Sequence, residues 1–262
     1  MKILITGANG YIGRSLLSFY KNRVDLVYLS RDILDLSNKH NTTKWFEDKE
    51  FDIVLHTAIS GGNRIKVDTE VEYTNNVKMI DNLYQHKDKF SKLISFGSGA
   101  EYTDKESYYG KSKIYISDVI NSIPGWCNLR IYGLFDHNEK NQRFIKSNIL
   151  RYIHSQPIEI YENKYMDFIY MEDFLSIVDE VMRREDIKTM DCVYDKKYTL
   201  LDIAGLINQL GTHKVSIINQ QKRGIDYIGI PSLKMDYIGL EQGIRRAYER
   251  IEMNLTQHNL VL

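Results

Sequence analysis

The first thirteen residues contain the feature that most restricts the fold of this 262-residue chain. A short apolar run at Lys2–Thr6 is followed by glycines at positions 7, 10 and 13 and then by an amphipathic stretch. This order predicts a buried strand, a tight turn and the start of a helix. Glycines in such a turn let the backbone approach a pyrophosphate closely, while the helix N-terminus faces the phosphate charge.

The first half of the chain continues as alternating apolar runs and helical patterns. The predicted strands are Lys2–Thr6, Leu26–Leu29, Ile53–Thr57, Leu93–Phe96 and Cys127–Ile131, and the predicted helices are Ile12–Tyr20, Val71–Tyr84 and Tyr109–Ile120. Such alternation implies parallel strands joined by right-handed crossovers. We therefore expect an α/β fold, a Rossmann-type doubly wound parallel sheet.

After about residue 135 the alternation becomes less regular. The pattern predicts helices at Phe144–Ile153, Glu172–Arg183, Leu200–Leu210 and Gly239–Ile251, with short strands at Ile158–Tyr161 and Val193–Tyr194. We expect a smaller, interleaved C-terminal substrate lobe. Residues 1–135 would form the dinucleotide-binding domain, to which about 166–195 return, and 136–262 would form mainly the substrate lobe.

Composition limits the partners and the compartment. Lys plus Arg and Asp plus Glu balance at 35 each, so no basic excess indicates nucleic acid. No apolar run approaches the ~20 residues of a membrane span, and the first strand begins without a leader, so a cytoplasmic protein is expected. Cys127 and Cys192 stand in unrelated contexts and the histidines are scattered, which predicts neither disulfide nor metal site. His56, at a strand end, is expected to be a packed residue.

A tyrosine and a lysine stand four residues apart at Tyr109 and Lys113. On a helix these positions share a face, so the hydroxyl and the ammonium would point into one site. A nearby ammonium favours the phenolate and lowers a tyrosine pKa from ~10, which suits a general acid or base. Ser98 lies eleven residues upstream in a glycine-rich stretch.

In this order the motifs resemble extended short-chain dehydrogenases, and more narrowly the NAD(P)-dependent epimerase/dehydratase group that acts on nucleotide sugars. The resemblance covers nearly the whole chain. The matching segments are the glycine triplet, His56-Thr57-Ala58, Asn76-Val77, Ser98, Tyr109 with Lys113, Met166–Phe174 and Leu240–Ile244.

The resemblance implies roles for individual residues. Tyr109 would be the general acid or base, Lys113 its partner that also holds the nicotinamide ribose, and Ser98 the hydroxyl that orients the substrate oxygen. Besides Tyr109 and Lys113, the cofactor would contact Gly7, Asn9, Gly10, Tyr11, Ile12, Gly13, Arg31, Asp35, Leu36, Thr57 and Ala58.

Departures from the family pattern narrow the reaction. Sugar dehydratases of this family carry an Asp-Glu pair directly after the serine or threonine, where this chain has Gly99 and Ala100, with Glu101 one position later. The 3,5-epimerase/4-reductases carry a cysteine at the Ala100 position and a downstream histidine, for which His137 is the only candidate. What remains is hydride transfer at one carbon.

The residues after the second strand bear on the cofactor. An NAD enzyme usually presents a carboxylate to the ribose hydroxyls there, whereas a 2′-phosphate needs a cation. The chain offers Ser30-Arg31, with Arg14 at the start of the first helix and Asp32 adjacent. We expect NADP(H), with NAD(H) as the alternative, and NADPH favours net reduction.

The substrate side gives weaker signals. Relatives place an arginine at the Met166 position to grip the diphosphate, so Arg143, Lys146 or Lys164 would have to replace it. The segment Thr57–Asn63 resembles the Gly-Gly loop of fucose-synthase-like reductases, where glycines let the backbone approach a sugar.

These observations predict an NADP(H)-dependent reductase of a nucleotide-linked 4-keto, 6-deoxy sugar. A nucleotide-sugar 4-epimerase with tightly bound NAD is the first alternative. A non-catalytic dinucleotide-sensing protein is the second, although such proteins typically lose the tyrosine or lysine that this chain keeps. Relatives often pair through the helix that carries the tyrosine, so a homodimer is expected.

Overall fold

The computed structural model describes residues 1–22, 24–62 and 66–259. The chain divides into two units. Unit 1 consists of Met1–Ile131 and Leu175–Asp191, and unit 2 of Tyr132–Phe174 and Cys192–Leu262.

The secondary structure follows the predicted alternation. The strands are β1 Lys2–Thr6, β2 Asp25–Leu29, β3 Phe51–His56, β4 Phe90–Ser98, β5 Cys127–Ile131, β6 Leu134–Phe135, β7 Ile158–Ile160, β8 Ile169–Tyr170, β9 Thr189–Asp191 and β10 Ile217–Asn219. The helices are α1 Tyr11–Tyr20, α2 Lys39–Phe46, α3 Glu70–Gln85, α4 Ala100–Thr103, α5 Tyr108–Ser122, α6 Phe144–Ile153, α7 Met171–Met182, α8 Leu200–Ile207 and α9 Leu240–Asn259.

Unit 1 is built around a parallel sheet with the strand order β2-β1-β3-β4-β5-β9. The parallel sheet with flanking helices confirms the predicted fold class. The order reverses at β1, which pairs with β2 on one side and β3 on the other. Thr6 is in register with His56, so the carboxyl ends of β1 and β3 lie side by side at this reversal. Parallel α/β sheets bind ligands at such a switch point.

One face of the sheet packs on α3 and α5. Leu4, Val54 and Leu93 share a buried cluster with Ile80 of α3 and Ile116 of α5. Side chains alternate along a strand, so Ile3 and Ile5 point to the opposite face. The two faces are therefore both buried, which explains the nearly continuous apolar runs that the sequence shows in these strands.

Several elements differ from the prediction, which did not include the short elements β6, β8, β9, β10 and α4. The strand predicted at Val193–Tyr194 is wrong, because the sixth strand of the large sheet lies at Thr189–Asp191 and pairs with β5. Helix α2 was not predicted, since six of the eight residues in its sequence Lys-His-Asn-Thr-Thr-Lys-Trp-Phe, all except the two lysines, have weak helix propensity. Asn38 caps α2 by accepting the N–H of Asn41 at 3.0 Å, and the buried Phe46 anchors it.

Unit 2 contains two small parallel sheets, β6-β8 and β7-β10, with α6, α8 and α9. Its buried side chains include Phe135, Tyr152 and Ile169. The buried carboxylate of Asp173 accepts the N–H groups of Ile238 at 2.8 Å and Gly239 at 3.0 Å, immediately before α9. This carboxylate therefore fixes the start of the last helix.

Within the described ranges, no helix combines the length and apolar character that a membrane crossing needs. The same residues contain no group of three or more His, Cys, Asp or Glu side chains arranged to hold a metal ion.

Trp126 provides a test of the unit 1 core. Its ring stacks on Phe90 at 5.6 Å between centroids, meets the edge of Tyr84 at 6.5 Å and is 1% exposed. Trp126→Ala should lower the free energy of unfolding by ~3–5 kcal/mol, because a large buried ring leaves a cavity. Urea unfolding measures this loss. Tyr84→Ala, at the exposed edge of the same stack, is the control, and an equal loss there would contradict a burial origin.

Candidate functional site

The glycine turn after β1 is held by close backbone packing. Gly7 has φ +66°, and a Cβ there would lie 2.6 Å from the backbone N and Cα of Ala58. A Cβ on Gly13 would lie 2.4 Å from the Gly7 carbonyl oxygen. A Cβ on Gly10 would meet only that oxygen, at 3.1 Å. Gly7 and Gly13 thus join β1, α1 and the end of β3, while Gly10 leaves room on its outer side.

Helix α1 begins directly after this turn. Gly10 is its N-cap and provides no side-chain cap, and the first turn contains no acidic residue. The partial positive charge of the helix N-terminus is therefore not neutralised by its own first turn, which suits a phosphate. The Arg14 guanidinium donates to the Asn9 carbonyl oxygen at 2.9 Å and braces the turn.

A cavity of about 220 Å³ opens where β1, β2 and β3 end. Tyr11, Ile12 and Gly13, also predicted for the cofactor, form the first turn of α1. The cavity lining includes the residues predicted to contact the cofactor, Gly7, Asn9, Gly10, Arg31, Asp35, Leu36, Thr57 and Ala58. It also includes Ser30 and Ser60, which lie in segments that the sequence analysis named, and Ser37, Asn75 and Met79, which it missed. Asn75 and Met79 stand one turn apart on α3, a spacing that could have indicated a shared face.

The rim of this cavity carries Arg31. Its side chain is 73% exposed and lies 3.4 Å from the Asp35 carboxylate. Asp35 accepts the backbone N–H of Ser37 at 3.0 Å and its hydroxyl at 2.7 Å. The Ser37 hydrogen bonds lower the pKa of Asp35, with a further contribution from Arg31. Asp35 is thus an ionised turn-capping residue, and Arg31 keeps most of its guanidinium in solvent.

Tyr109 and Lys113 both lie on α5, as predicted. The Lys113 ammonium donates to the Phe96 carbonyl oxygen at 2.6 Å and lies 5.8 Å from the centre of the Tyr109 ring. Burial lowers the pKa of Lys113 to about 8, and the charge of Glu101 acts in the opposite direction. A lysine next to a tyrosine, held at the carboxyl end of β4, is an arrangement that can stabilise a phenolate.

The two glycines after β3 form a loop that lies against Tyr109. The backbone N–H of Gly62 donates to both carboxylate oxygens of Asp68, at 3.0 and 2.9 Å. A Cβ on Gly62, whose φ is +69°, would lie 3.1 Å from Cε2 of Tyr109. Only glycine fits here without pressing on the catalytic candidate. Asn63, the last residue of the predicted loop, lies outside the described residues.

Asn76 of α3 ties this loop to α5. Its side-chain oxygen accepts the N–H of Ser60 at 2.7 Å, and its amide donates to the Ser60 carbonyl at 3.0 Å. The same amide donates to the Ser112 hydroxyl at 3.4 Å, which in turn donates to the Tyr109 carbonyl at 2.8 Å. Asn76 therefore orders both the loop and the helix turn that carries Tyr109.

Ser98 is the last residue of β4 and is buried. Its hydroxyl accepts the N–H of Ala100 at 3.2 Å. Its own N–H donates to the Glu101 carboxylate at 2.9 Å. Glu101 is turned into the interior of unit 1, where Arg130 pairs with it at 2.7 Å. This carboxylate is therefore bound internally rather than available as the separate acid of a dehydration.

Three basic residues of unit 2 are the predicted diphosphate ligands. Lys146 donates to the carbonyl oxygens of His137 and Glu139, both at 2.8 Å. Arg143 lies 3.9 Å from the Glu139 carboxylate, and Lys164 lies 2.5 Å from that of Glu162. Lys146 thus holds its own loop.

Lys164 has a second basic residue, Lys222, close to it. The backbone N–H of the preceding Asn163 donates to the Lys222 carbonyl at 2.7 Å, and Asn163 bridges to Arg223. The pKa of Glu162 is lowered by Lys164 first and then by the charge of Lys222. Lys222, which the sequence analysis did not select, therefore adds positive charge beside Lys164, whereas the guanidinium of the neighbouring Arg223 is paired with the Asp226 carboxylate at 2.8 Å.

Residues 3–192 match the model of the NAD dependent epimerase/dehydratase family, and the chain belongs to this family. It is accordingly an NAD(P)-dependent enzyme. The chain is 32% identical over 137 residues to the GDP-L-colitose synthase of Yersinia pseudotuberculosis. That match covers 50% of this chain and only 44% of the synthase.

Solved structures share the fold along nearly the whole chain. A GDP-mannoheptose C4 reductase from Campylobacter jejuni with NADP bound superposes with a TM-score of 0.78 at 18% identity, covering 96% of this chain and 98% of that one. The UDP-glucose 4-epimerase of Thermus thermophilus in complex with NAD gives 0.77 at 15% identity, covering 96% and 99%.

Gly10→Ala should separate binding from folding. The added Cβ meets only one backbone oxygen, so the free energy of unfolding should change by less than about 1 kcal/mol. It fills the space in front of α1, so the affinities for NADPH and NADH should both fall on the order of 10-fold or more. Fluorescence titration measures both affinities. Gly13→Ala is the comparison and should lose ~1–3 kcal/mol through overpacking. Wild-type affinities in Gly10→Ala would refute a pyrophosphate role.

Proposed function

We propose that this protein is an NADP(H)-dependent reductase of a nucleotide-linked 4-keto, 6-deoxy sugar, with Tyr109 as proton donor. The observation that carries the proposal is the pair formed by Tyr109 and the buried Lys113 on one helix, with the lysine bonded to Phe96 at the carboxyl end of β4. A carbonyl oxygen that becomes a hydroxyl needs such a proton donor.

The residues around the glycine turn fit a dinucleotide. The N-terminus of α1 and Gly10 would hold the pyrophosphate, Asp35 and Leu36 would lie at the adenosine end, and Lys113 would hold the nicotinamide ribose. Arg31 is the cation available to a 2′-phosphate, because its guanidinium is exposed on the cavity rim. When bound, the reduced nicotinamide supplies the hydride that the sugar carbon receives.

The chain's own groups account for the proton. The Tyr109 hydroxyl gives its proton to the former carbonyl oxygen. The Lys113 ammonium then stabilises the phenolate that remains. The Ser98 hydroxyl donates a hydrogen bond that orients the same oxygen. Asn76 holds the Tyr109 backbone through the Ser112 hydroxyl, and Gly62 packs against the Tyr109 ring.

The substrate class is supported by the relatives and by the charge of unit 2. GDP-L-colitose synthase and the GDP-mannoheptose C4 reductase are named for nucleotide-linked sugars. Lys164, with the charge of Lys222 close to it, offers the positive charge that a diphosphate needs in place of an arginine at Met166. The internal pairing of Glu101 favours reduction over dehydration.

A nucleotide-sugar 4-epimerase with retained NAD is the second candidate. It is favoured by the fold it shares with the UDP-glucose 4-epimerase and by Asp32, a carboxylate directly after Arg31. Two measurements separate the candidates. If the protein is a reductase, NADPH will be consumed when one member of a panel of 4-keto nucleotide sugars is added. If it is the epimerase, the purified protein will still show the absorbance of one bound nicotinamide per chain after gel filtration.

The expected homodimer stays a prediction. Its interface would use α5 and its neighbour α3, which are joined by the hydrogen bond from the Tyr115 hydroxyl to Asp81 at 2.9 Å. Tyr108 at the start of α5 is exposed on this helix pair.

Tyr109→Phe should lower kcat by a factor on the order of 10² or more, because it removes the proton donor and leaves the ring packing intact. NADPH affinity and thermal unfolding should stay unchanged. Tyr108→Phe is the matched control, since it removes the neighbouring hydroxyl from the same helix turn. A Tyr109→Phe enzyme with the wild-type rate on its best substrate would overturn the assignment.

Arg31→Ala should weaken NADPH binding on the order of 10- to 100-fold and spare NADH. The charge-assisted contact to a 2′-phosphate is worth ~1.5–3 kcal/mol, and only NADPH carries that phosphate. Titration of both cofactors against both proteins measures the difference, with Arg14→Ala in parallel. Equal losses for the two cofactors, or none, would favour the epimerase with NAD.

A further inference from the structure

Glu101 occupies an unusual position for a carboxylate. It lies on the one-turn helix α4, three residues after Ser98, and is 6% exposed. Two of its contacts come from Asn128, whose side-chain amide lies 3.2 Å from each carboxylate oxygen. A buried carboxylate needs partners that stabilise its charge, and this one is surrounded by donors.

Arg130 provides the main compensating charge. Its Nε lies 2.7 Å from Glu101, and its Nη1 lies 2.9 Å from Asp191 of β9. The guanidinium also stacks under the Tyr102 ring at 4.5 Å. Glu101 and Asp191 carry two negative charges and Arg130 one positive charge, so the three groups together have a net charge of about minus one when ionised.

The carboxylate also holds the backbone of the candidate catalytic serine. It accepts the Ser98 N–H at 2.9 Å. At Gly97 a Cβ would lie 2.3 Å from the Glu101 Oε1 atom and 2.7 Å from the Asn128 side-chain oxygen. The absence of a side chain at Gly97 therefore lets Glu101 reach under the end of β4.

Groups from several elements act on Lys113. Phe96 of β4 offers its carbonyl oxygen and Tyr109 of α5 its ring, and the charge of Lys113 acts on the imidazole of His56 in β3. Burial, and then the charge of Lys113, lower the pKa of His56 to about 3, so the imidazole carries no charge at neutral pH. Glu101 is the negative group whose charge raises the pKa of Lys113 against the effect of burial.

We propose that Glu101 is a positioning residue of this site, whose carboxylate fixes the Ser98 backbone and acts as a negative charge on the Lys113 ammonium, which binds the same end of β4 at Phe96. Arg130 and Asp191 hold that carboxylate in place. The link to catalysis rests on the proposed function, whereas the effects on Ser98 and Lys113 belong to the free protein. They can be measured without substrate or cofactor.

Two variants of Glu101 separate its effect on the Ser98 backbone from its effect on the Lys113 pKa. Glu101→Gln keeps an oxygen for the Ser98 N–H but loses the charge. Glu101→Asp keeps the charge but withdraws the carboxylate by one methylene. Asp191→Asn is the matched control, because it also removes a negative charge from Arg130 yet is not bonded to Ser98. Thermal unfolding of each variant shows that it is folded.

The first readout is the pKa of Lys113, measured by NMR titration of protein with ¹³C-labelled lysine and assigned with Lys113→Met. Loss of the Glu101 negative charge should lower the pKa of Lys113 on the order of one unit in Glu101→Gln, because an opposite charge nearby favours the charged form of the lysine. Glu101→Asp and Asp191→Asn should titrate like wild type. A wild-type value in Glu101→Gln, or the same drop in Asp191→Asn, would overturn the electrostatic part.

The second readout is amide hydrogen exchange at Ser98. Glu101→Asp should exchange this amide on the order of 10-fold faster than wild type, because the hydrogen bond is lost or lengthened. Glu101→Gln should exchange more slowly than Glu101→Asp. Unchanged exchange in Glu101→Asp would overturn the positioning part.

Activity completes the test once a substrate is found. In Glu101→Gln the alkaline limit of kcat should move to lower pH in step with Lys113, because the ammonium is lost as pH rises through its pKa, with KM little changed. If the NMR shifts appear but no ketone is reduced, the proposed function fails and the role of Glu101 in the free protein stands. If kcat changes while both NMR readouts stay at wild-type values, the positioning role fails.

Discussion

The backbone of the glycine turn after β1 packs directly against the backbone at the end of β3, and the architecture of unit 1 depends on this close contact. Gly7 and Gly13 leave no room for a Cβ at the junction of β1, α1 and the Thr57-Ala58 segment. The Thr57 hydroxyl closes the junction by donating to the Thr6 carbonyl at 2.7 Å. Because β1 and β3 are adjacent strands at the point of reversal, this junction puts the cavity and the N-terminus of α1 at one place.

The parts of the site that sequence reasoning predicted are those whose members lie close together along the chain. Tyr109 and Lys113 are one helical turn apart, and the glycine triplet lies within seven positions, so local periodicity indicates both. The strands of the first half were predicted for a similar reason, since burial on both faces gives a continuous apolar run. At the sheet edge that signal fails. Val193 and Tyr194 are buried but form no strand, because the pairing of β9 with β5 ends at Asp191 and their burial comes from other contacts, such as that of the Tyr194 hydroxyl with Asp173.

Contacts between residues that are far apart along the chain could not be predicted from the sequence. In the sequence, Asn76 is recognised only as part of a matching segment, and the structure adds that its amide joins the loop after β3 to α5. Gly62 is recognised only as part of a Gly-Gly loop, and the structure adds that the Tyr109 ring lies against it. Glu101 counts in the sequence only as a departure from the dehydratase pattern. Its partner Arg130 lies on β5, and Asp191, the second partner of Arg130, lies on β9, both distant from α4 along the chain.

Two of the arginine–carboxylate pairs of unit 1, Arg31–Asp35 and Arg130–Glu101, differ in their access to dissolved ions. Arg31 and Asp35 are 73% and 38% exposed, whereas Arg130 and Glu101 are 14% and 5% exposed. Dissolved salt screens exposed charges over roughly 8–10 Å at physiological strength but acts much less on buried pairs. Dissolved salt therefore screens the Arg31 charge at the rim of the cavity and has little effect on the Arg130–Glu101 ion pair beneath Ser98. At high salt concentration the attraction of Arg31 for an anionic ligand becomes weaker, whereas the geometry around Ser98 stays as it is in dilute buffer.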